Sequence, residues 1–468
     1  MKSRFSFALL LVVLCSTLSL SAAATPSRET WAGSATLPDG GSLPLELEVF
    51  TEPYGKTANV RSPAQGVQNI PVTELTSDGQ HIAMTLPTLG AQLTLNHDGR
   101  GCLKGELKQG IALPVELCPV AGLSTDDYLA DLSDSIEAQP DLAFRSADGT
   151  WLSGTLYRNM TKPLQTVAII AQGSGPVDRD GSFGPHKLYR NFALNMATQG
   201  IAVFVFDKRG VRRSGGDYAS AQVEDFAADL TAAYDYIQQQ LSPAHLGLIG
   251  HSEGATVVAI TASETQPAFV IALGGVGLNG IDAIVLQDKT ESLAKGASPT
   301  EAAQLQAIAR DYYRIVVESE SADQRRKRGE QLLASLSPEQ QEVYQRFGAA
   351  TYTLALENIN DATLYSILAT DPTLYWQSVC APALILNGDQ DVQVPAAENT
   401  GGLAVAIDAC EHPLSKVQVL KNYNHMFQRT DDGNVELYHQ LPDGLGQDVS
   451  EIIARWIFSL QPQSSVSH

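Results

Sequence analysis

Leu246-Gly247-Leu248-Ile249 runs without a linker into Gly250-His251-Ser252-Glu253-Gly254, and residues 255–262, Ala-Thr-Val-Val-Ala-Ile-Thr-Ala, follow. The first stretch has the short apolar run of a buried strand, and the last reads as a helix. A Gly-x-Ser-x-Gly sequence at such a junction makes a very sharp turn. The serine takes strained backbone angles there, and glycines two residues to either side avoid clashes. Five residues of this pattern occur by chance in long chains. The strand-to-helix context separates it from a plain glycine-rich turn and makes Ser252 the candidate nucleophile.

The same alternation extends outward from the turn. Residues 166–171, 201–206 and 269–273 read as strands, with 188–198 and 223–241 as the helices between them. A hairpin is expected where 142–144 and 152–157 flank Asp148-Gly149. Strand–helix alternation implies a mostly parallel sheet covered by helices, an α/β fold. It breaks off over 279–378, which is rich in Glu, Gln, Ala, Leu and Arg, and strands resume at 383–386 and 416–420 before a final amphipathic helix at 452–460. A helical insertion between two strands of a parallel sheet sits over the C-terminal strand ends, where such sheets bind ligands. We read 279–378 as a cap. Ahead of residue 120 the pattern differs: strand-like runs at 43–50, 81–86, 91–96 and 113–117 are separated by Pro38-Asp39-Gly40-Gly41, Asp78-Gly79, His97-Asp98-Gly99 and Gln109-Gly110. These predict a small antiparallel sheet or open barrel without a catalytic set. The expected organisation is thus 25–120 as a β-domain, 121–140 as a linker with a short helix, and 141–468 as the capped α/β domain.

Residues 1–24 stand apart. Lys2 and Arg4 precede an apolar run, and Ser21-Ala22-Ala23-Ala24 supplies small residues before Thr25-Pro26. That order predicts a secretory signal peptide cleaved after Ala24, hence a periplasmic or secreted protein. The run falls short of the roughly 20 residues a spanning anchor needs, so stable membrane insertion is not expected. Leu14 before Cys15 is too bulky for a lipoprotein site. The formal charge of −21 argues against nucleic acid and anionic membrane as partners. The sequence leaves the oligomeric state open.

A serine hydroxyl needs a base, and the base an orienting carboxylate. Behind a turn of this kind they follow in the order Ser, Asp or Glu, His. His425, in Asn422-Tyr423-Asn424-His425-Met426, comes just after the strand at 416–420. His412 lies at the wrong end of that strand, and His439 and His468 lie too far along. The acid should end the preceding strand, where Asn387-Gly388-Asp389-Gln390-Asp391 offers two aspartates. Asp391 is preferred, with Asp389 read as a loop-capping carboxylate. The tetrahedral intermediate needs two N–H donors. Glu253, next after the nucleophile, gives one. Ser174, in Ala171-Gln172-Gly173-Ser174-Gly175-Pro176, gives the other. Lys208 and Arg209, in Asp207-Lys208-Arg209-Gly210, could meet a substrate carboxylate but are read first as loop braces.

Of five cysteines, Cys15 would leave with the signal. The remaining four suggest disulfides in an exported chain, and the lack of a CxxC spacing argues against a metal site. Cys380 and Cys410 each precede a strand at the end of the sheet away from the site. Cys102 and Cys118 flank a turn at Gln109-Gly110. Topology therefore favours Cys380–Cys410 and Cys102–Cys118 over cross-domain pairing, with four free thiols as the alternative.

Together these stretches resemble the α/β-hydrolase superfamily, and within it the exported bacterial hydrolases called serine aminopeptidase-like or dienelactone hydrolase-like. The resemblance rests on residues 173–181, 207–210, 250–254, 387–395 and 424–428, and on Ser62-Pro63-Ala64-Gln65-Gly66 in the β-domain. It implies an α/β-hydrolase fold with a helical cap, and hydrolysis of a small ester or related acyl substrate without cofactor. Two departures stand out: Gln172 where relatives often carry histidine, and Arg212 where their Arg-Gly-x-Gly-x-Ser pattern has its second glycine. Other readings are a serine aminopeptidase, a thioesterase, and a catalytically inactive binding protein. The last would show a missing triad member, and none is missing.

Overall fold

The computed structural model describes residues 27–120, 132–349 and 351–461. The expected signal peptide, and residues 121–131 of the stretch read as a linker with a short helix, lie outside the described residues.

Nine strands open the chain: β1 (Ser27–Thr36), β2 (Ser42–Glu52), β3 (Gly55–Ser62), β4 (Val67–Ile70), β5 (Thr73–Ser77), β6 (His81–Leu86), β7 (Ala91–His97), β8 (Leu103–Gln109) and β9 (Ile111–Pro119). They form one antiparallel sheet in the order β4-β3-β2-β1-β9-β8-β7-β6-β5. The two edge strands, β4 and β5, are separated in sequence only by Pro71 and Val72, so the sheet curls until its edges adjoin. Alternate residues point inward and fill the curl with Leu47, Val49, Val60, Met84, Leu95 and Leu117.

A second, eight-stranded sheet follows, made of β10 (Ile136–Arg145), β11 (Trp151–Asn159), β12 (Thr166–Ala171), β15 (Ala202–Phe206), β16 (His245–His251), β17 (Val270–Leu273), β18 (Ala383–Gly388) and β19 (Lys416–Leu420). A two-stranded hairpin of β13 (Ser182–Phe183) and β14 (His186–Lys187) lies outside it. The order is β10-β11-β15-β12-β16-β17-β18-β19. The pairs from β15 to β19 are parallel, and β10 and β11 close one edge antiparallel. β10 begins at Ile136, inside the stretch read as a linker, because Ile136 to Gln139 pair with β11. β12 is buried at every position, with Val167 and Ile169 in one core and Ala168 and Ile170 in the other. Helices cover both faces: α1 (Leu188–Gln199) and α11 (Gln447–Ser459) on one, and α2 (Val223–Leu241), α3 (Glu253–Glu264) and α10 (Ala396–Ile407) on the other.

Between β17 and β18 the chain makes the expected helical excursion: α4 (Gly280–Ala294), α5 (Pro299–Glu318), α6 (Ala322–Ser335), α7 (Pro338–Val343), α8 (Ala362–Ala369) and α9 (Pro372–Trp376). It has a core of its own around Val285, Leu305, Ile308, Tyr312 and Tyr313. Cys102 and Cys118 are bonded across the β8–β9 hairpin, with Cα atoms 4.1 Å apart. Cys380 and Cys410 are bonded just before β18 and β19, with Cα atoms 5.1 Å apart.

The outer face of β2 departs from the alternation expected of a strand wet on one side. Glu48, Phe50 and Glu52 are all buried, met by arginines of β1, β3 and the loop after β15. Glu48 meets Arg28, Arg61 at 2.5 Å and Arg212 at 3.8 Å, while Glu52 pairs with Arg213 at 2.7 Å. Both Arg212 and Arg213 lie over the ring of Phe50. Arg212, at the place of the relatives' second glycine, keeps a left-handed backbone, φ 47°. Its side chain also approaches Asp178 at 3.9 Å. Burial alone would raise the Glu48 carboxyl, but the fields of Arg212, Arg61 and Arg28 prevail and hold it at about 2. Its folded value lies below the ordinary 4.5, so its contribution to stability is full above that pH and is lost as pH falls toward 2. Glu48→Gln leaves three guanidinium groups facing one another. It is expected to lower stability by about 3–5 kcal/mol at neutral pH in thermal or denaturant unfolding. The gap from the parent should narrow as pH drops through the same range.

Candidate active site

Ser252 sits between β16 and α3 with φ 55° and ψ −122°. The turn is possible only because its flanks lack side chains. A Cβ on Gly250 would lie 2.1 Å from the Gly254 carbonyl oxygen, and one on Gly254 would lie 2.1 Å from that of Ala171. The Ser252 N–H is held by the Leu273 carbonyl at 2.9 Å, fixing the turn to the neighbouring strand.

Asp391 and His425 come from the loops after β18 and β19. His425 Nδ1 lies 2.8 Å from Asp391 Oδ2, and both residues are buried. Asp391 Oδ1 accepts from the N–H groups of Gln393 and Val394 at 2.9 and 2.8 Å, so the carboxylate is clamped from behind. Asp389 is exposed and accepts the Asn422 N–H at 2.6 Å, tying the two loops together away from the histidine. Ser252 and His425 line one cavity of about 260 Å³, with Ser174, Tyr189 and Gln393. A second cavity of about 60 Å³ opens from Ser252 and Ser174 under the cap, against Val223, Ala283, Ile284, Ile367 and Pro372.

The loop after β12 brings Ser174 to both cavities. The neighbouring Gly173 N–H is already engaged, donating to the Tyr189 hydroxyl at 2.8 Å. That hydroxyl in turn lies 3.0 Å from His251 Nδ1, and His251 Nε2 lies 3.0 Å from the His425 carbonyl. The one consistent tautomer has Tyr189 donating to Nδ1 and Nε2–H donating to His425, which makes a chain of hydrogen bonds from the Gly173 loop to the His425 backbone. Sequence reading passed over Tyr189 and His251. The position of His251 beside the serine was the available signal, but a buried polar relay leaves no spacing pattern in the sequence. Burial and the nearby His425 hold the His251 imidazole down at about 3, overcoming the hydrogen bond to the His425 carbonyl.

Lys208 and Arg209 are loop braces here. Arg209 binds Asp229 at 2.6 and 2.8 Å and Asp148 at 3.0 Å. Lys208 is buried and donates to the Gly173 carbonyl at 2.7 Å and to Glu253 at 2.8 Å. Arg179, in the loop after β12, is held by Asp207, Ser153 and Thr155. Gln172, in the place of the relatives' histidine, donates to the Phe206 carbonyl. Among the described residues, no group of three or more His, Cys, Asp or Glu side chains could hold a metal ion, and no helix is long and apolar enough to cross a membrane.

Residues 183–429, just over half of the chain, match the hydrolase family described as "Serine aminopeptidase, S33". Esterase EstD of Thermotoga maritima is 23% identical over 103 residues, 22% of this chain; the chain spans about a quarter, 25%, of that relative's length. Among solved structures, an esterase of Pyrococcus furiosus is 16% identical, covering 73% of this chain and 96% of its own, with a TM-score of 0.43. A thermophilic esterase of Thermogutta terrifontis is also 16% identical, over 69% of this chain and 99% of its own, with a TM-score of 0.39.

Two measurements bear on this geometry. Asp391→Asn should lower kcat by roughly 10⁴-fold through the wrong imidazole tautomer, and Asp389→Asn should cost less than about tenfold. Steady-state kinetics on the two variants tests which aspartate orients His425. For His251, the unfolded imidazole protonates near 6.5 whereas the folded one does so only at about 3. Its contribution to stability is therefore present above 6.5 and lost as pH falls toward 3. His251→Gln removes that dependence, so the stability gap between parent and variant should shrink by a few kcal/mol across the interval, read by denaturant titration at several pH values.

Proposed function

The chain belongs to the S33 serine aminopeptidase family of hydrolases, and from that premise we propose that it cleaves carboxylic esters through an acyl-enzyme on Ser252. The Ser252 hydroxyl attacks the ester carbonyl carbon while His425 Nε2 takes its proton. Asp391, hydrogen-bonded at Nδ1, fixes the tautomer and stabilises the imidazolium. The oxyanion that forms is received by the N–H groups of Glu253 and Ser174. Collapse breaks the bond to the alkoxide, which leaves with the proton from His425. A water then gives a proton to His425 and attacks the acyl carbon, releasing the acid and restoring the serine.

One observation supports esters over peptides with a free N-terminus. A substrate ammonium needs a carboxylate to receive it. Among the described residues, the lining of the two cavities contains a single one, Glu253, and it is paired with Lys208 at 2.8 Å. The apolar cavity under the cap suits the acyl chain, and its volume of about 60 Å³ holds only a few heavy atoms. The wider, more polar cavity suits the alcohol. Two disulfides and the export signal read at 1–24 support action in the periplasm or outside the cell.

A panel of p-nitrophenyl esters beside aminoacyl-p-nitroanilides tests the reading. Acetate and butyrate should turn over at least tenfold faster than octanoate, and the anilides should show no turnover above background. Ser252→Ala should lose on the order of 10⁴- to 10⁶-fold in rate and all fluorophosphonate labelling while retaining the fold. Faster cleavage of the anilides would replace the esterase by an aminopeptidase. Substantial activity in a clean Ser252→Ala preparation would remove the mechanism.

A further inference from the structure

Lys208 carries more than a brace between loops. The residue is 3% exposed; its ammonium donates to the Gly173 carbonyl at 2.7 Å and to Glu253 Oε2 at 2.8 Å, and lies 4.5 Å from the centroid of the Phe226 ring. The choice of acceptors is what matters. The Gly173 carbonyl belongs to the same peptide unit as the Ser174 N–H. In a trans peptide these two groups point in opposite directions, and the described backbone contains no cis bond. Holding the carbonyl on Lys208 therefore turns the Ser174 N–H away from the lysine. Ser174 lines both cavities that meet at Ser252, so the side opposite the lysine is the substrate side. The second acceptor is the side chain of Glu253, whose backbone N–H is the other proposed donor.

We infer that Lys208 is the positioning residue of the oxyanion hole, one ammonium fixing the peptide unit of one donor and the side chain of the other. The inference rests on the acyl-enzyme reading above and deepens it. Lys208 touches neither substrate nor nucleophile. It acts by pre-setting the two loops, so that no reorganisation is needed when charge develops on the carbonyl oxygen. A cation on the Gly173 carbonyl also polarises the shared peptide unit and strengthens Ser174 as a donor. The Gly173 N–H is taken by the Tyr189 hydroxyl, so both peptide units that flank Gly173 are anchored by side chains, Lys208 on one and Tyr189 on the other.

The test must separate positioning from bracing. Lys208→Met alone strands a buried carboxylate, so the informative variant is Lys208→Met with Glu253→Gln, which leaves no unpaired charge and keeps both backbone donors. With p-nitrophenyl butyrate, this double variant is expected to lose on the order of 10²-fold in kcat while KM stays within about threefold. Its affinity for a butyryl trifluoromethyl ketone, whose adduct places an oxyanion in the hole, should fall in parallel with kcat/KM. Thermal unfolding should show the double variant more stable than Lys208→Met. Lys208→Arg, which keeps donors for both acceptors, should retain more kcat than the double variant. A double variant with kcat within about threefold of the parent overturns the inference, as does Lys208→Arg losing as much as the double variant. A parent protein that neither hydrolyses esters nor labels at Ser252 overturns the hydrolase reading, and this inference with it.

Discussion

A serine at φ 55° and ψ −122° between a strand and a helix is a conformation that the surrounding structure has to enforce. The enforcement is steric. α3 starts so close to β12 and β16 that Gly250 and Gly254 have no room for a single carbon atom beyond the backbone. That closeness also brings the start of α3 and the loop after β12 together, so that Glu253 and Ser174 line one cavity. The parallel order of β12, β16, β17, β18 and β19 then delivers the other loops to the same end of the sheet. Ser252, Asp391 and His425 lie far apart in sequence, and their meeting is a consequence of strand order.

The N-terminal sheet bears on this arrangement through charge. Glu48 and Glu52 on the outer face of β2 reach Arg212 and Arg213 in the loop after β15. Asn69 of β4 reaches Asp178 in the loop that carries Ser174. The tyrosine ring of Tyr54 stacks on Trp151 of β11, with centroids 5.2 Å apart. Ion pairs this deeply buried gain little net stability once desolvation is counted, but breaking one partner is costly, so they fix geometry more than they add free energy. The β-domain is thereby fastened to the loop on the substrate side of the sheet.

Much of this was legible from the residues. The period-two apolar runs, the helical breaks between them and the single long interruption all register burial, and burial is what the second sheet and the cap are built from. The sharp turn at Ser252 was readable because it demands glycines at Gly250 and Gly254, and the pairing of Asp391 with His425 was readable because neighbouring strands deliver both loops to one end of the sheet. The interface was not. Glu48 and Phe50 alternate with Leu47 and Val49, and alternation alone does not say what meets the outer face of β2; Arg212 and Arg213 of the loop after β15 do. Arg212 looked like a loss, because a glycine pattern says nothing of what a side chain placed there could reach. Tyr189, His251 and Lys208 were invisible as a group for the same reason. Their contacts join segments far apart in sequence, and each residue alone is an ordinary strand-end, loop or helix residue.

The excursion between β17 and β18 has a hydrophobic core separate from those on the two faces of the sheet. Its helices nonetheless supply Ala283, Ile284, Ile367 and Pro372 to the wall of the smaller cavity. Part of the wall of the smaller cavity is therefore encoded in a different stretch of the chain from Ser252, Asp391 and His425. A descendant could reshape that wall by exchanging residues between 280 and 376 while inheriting Ser252, Asp391 and His425 unchanged.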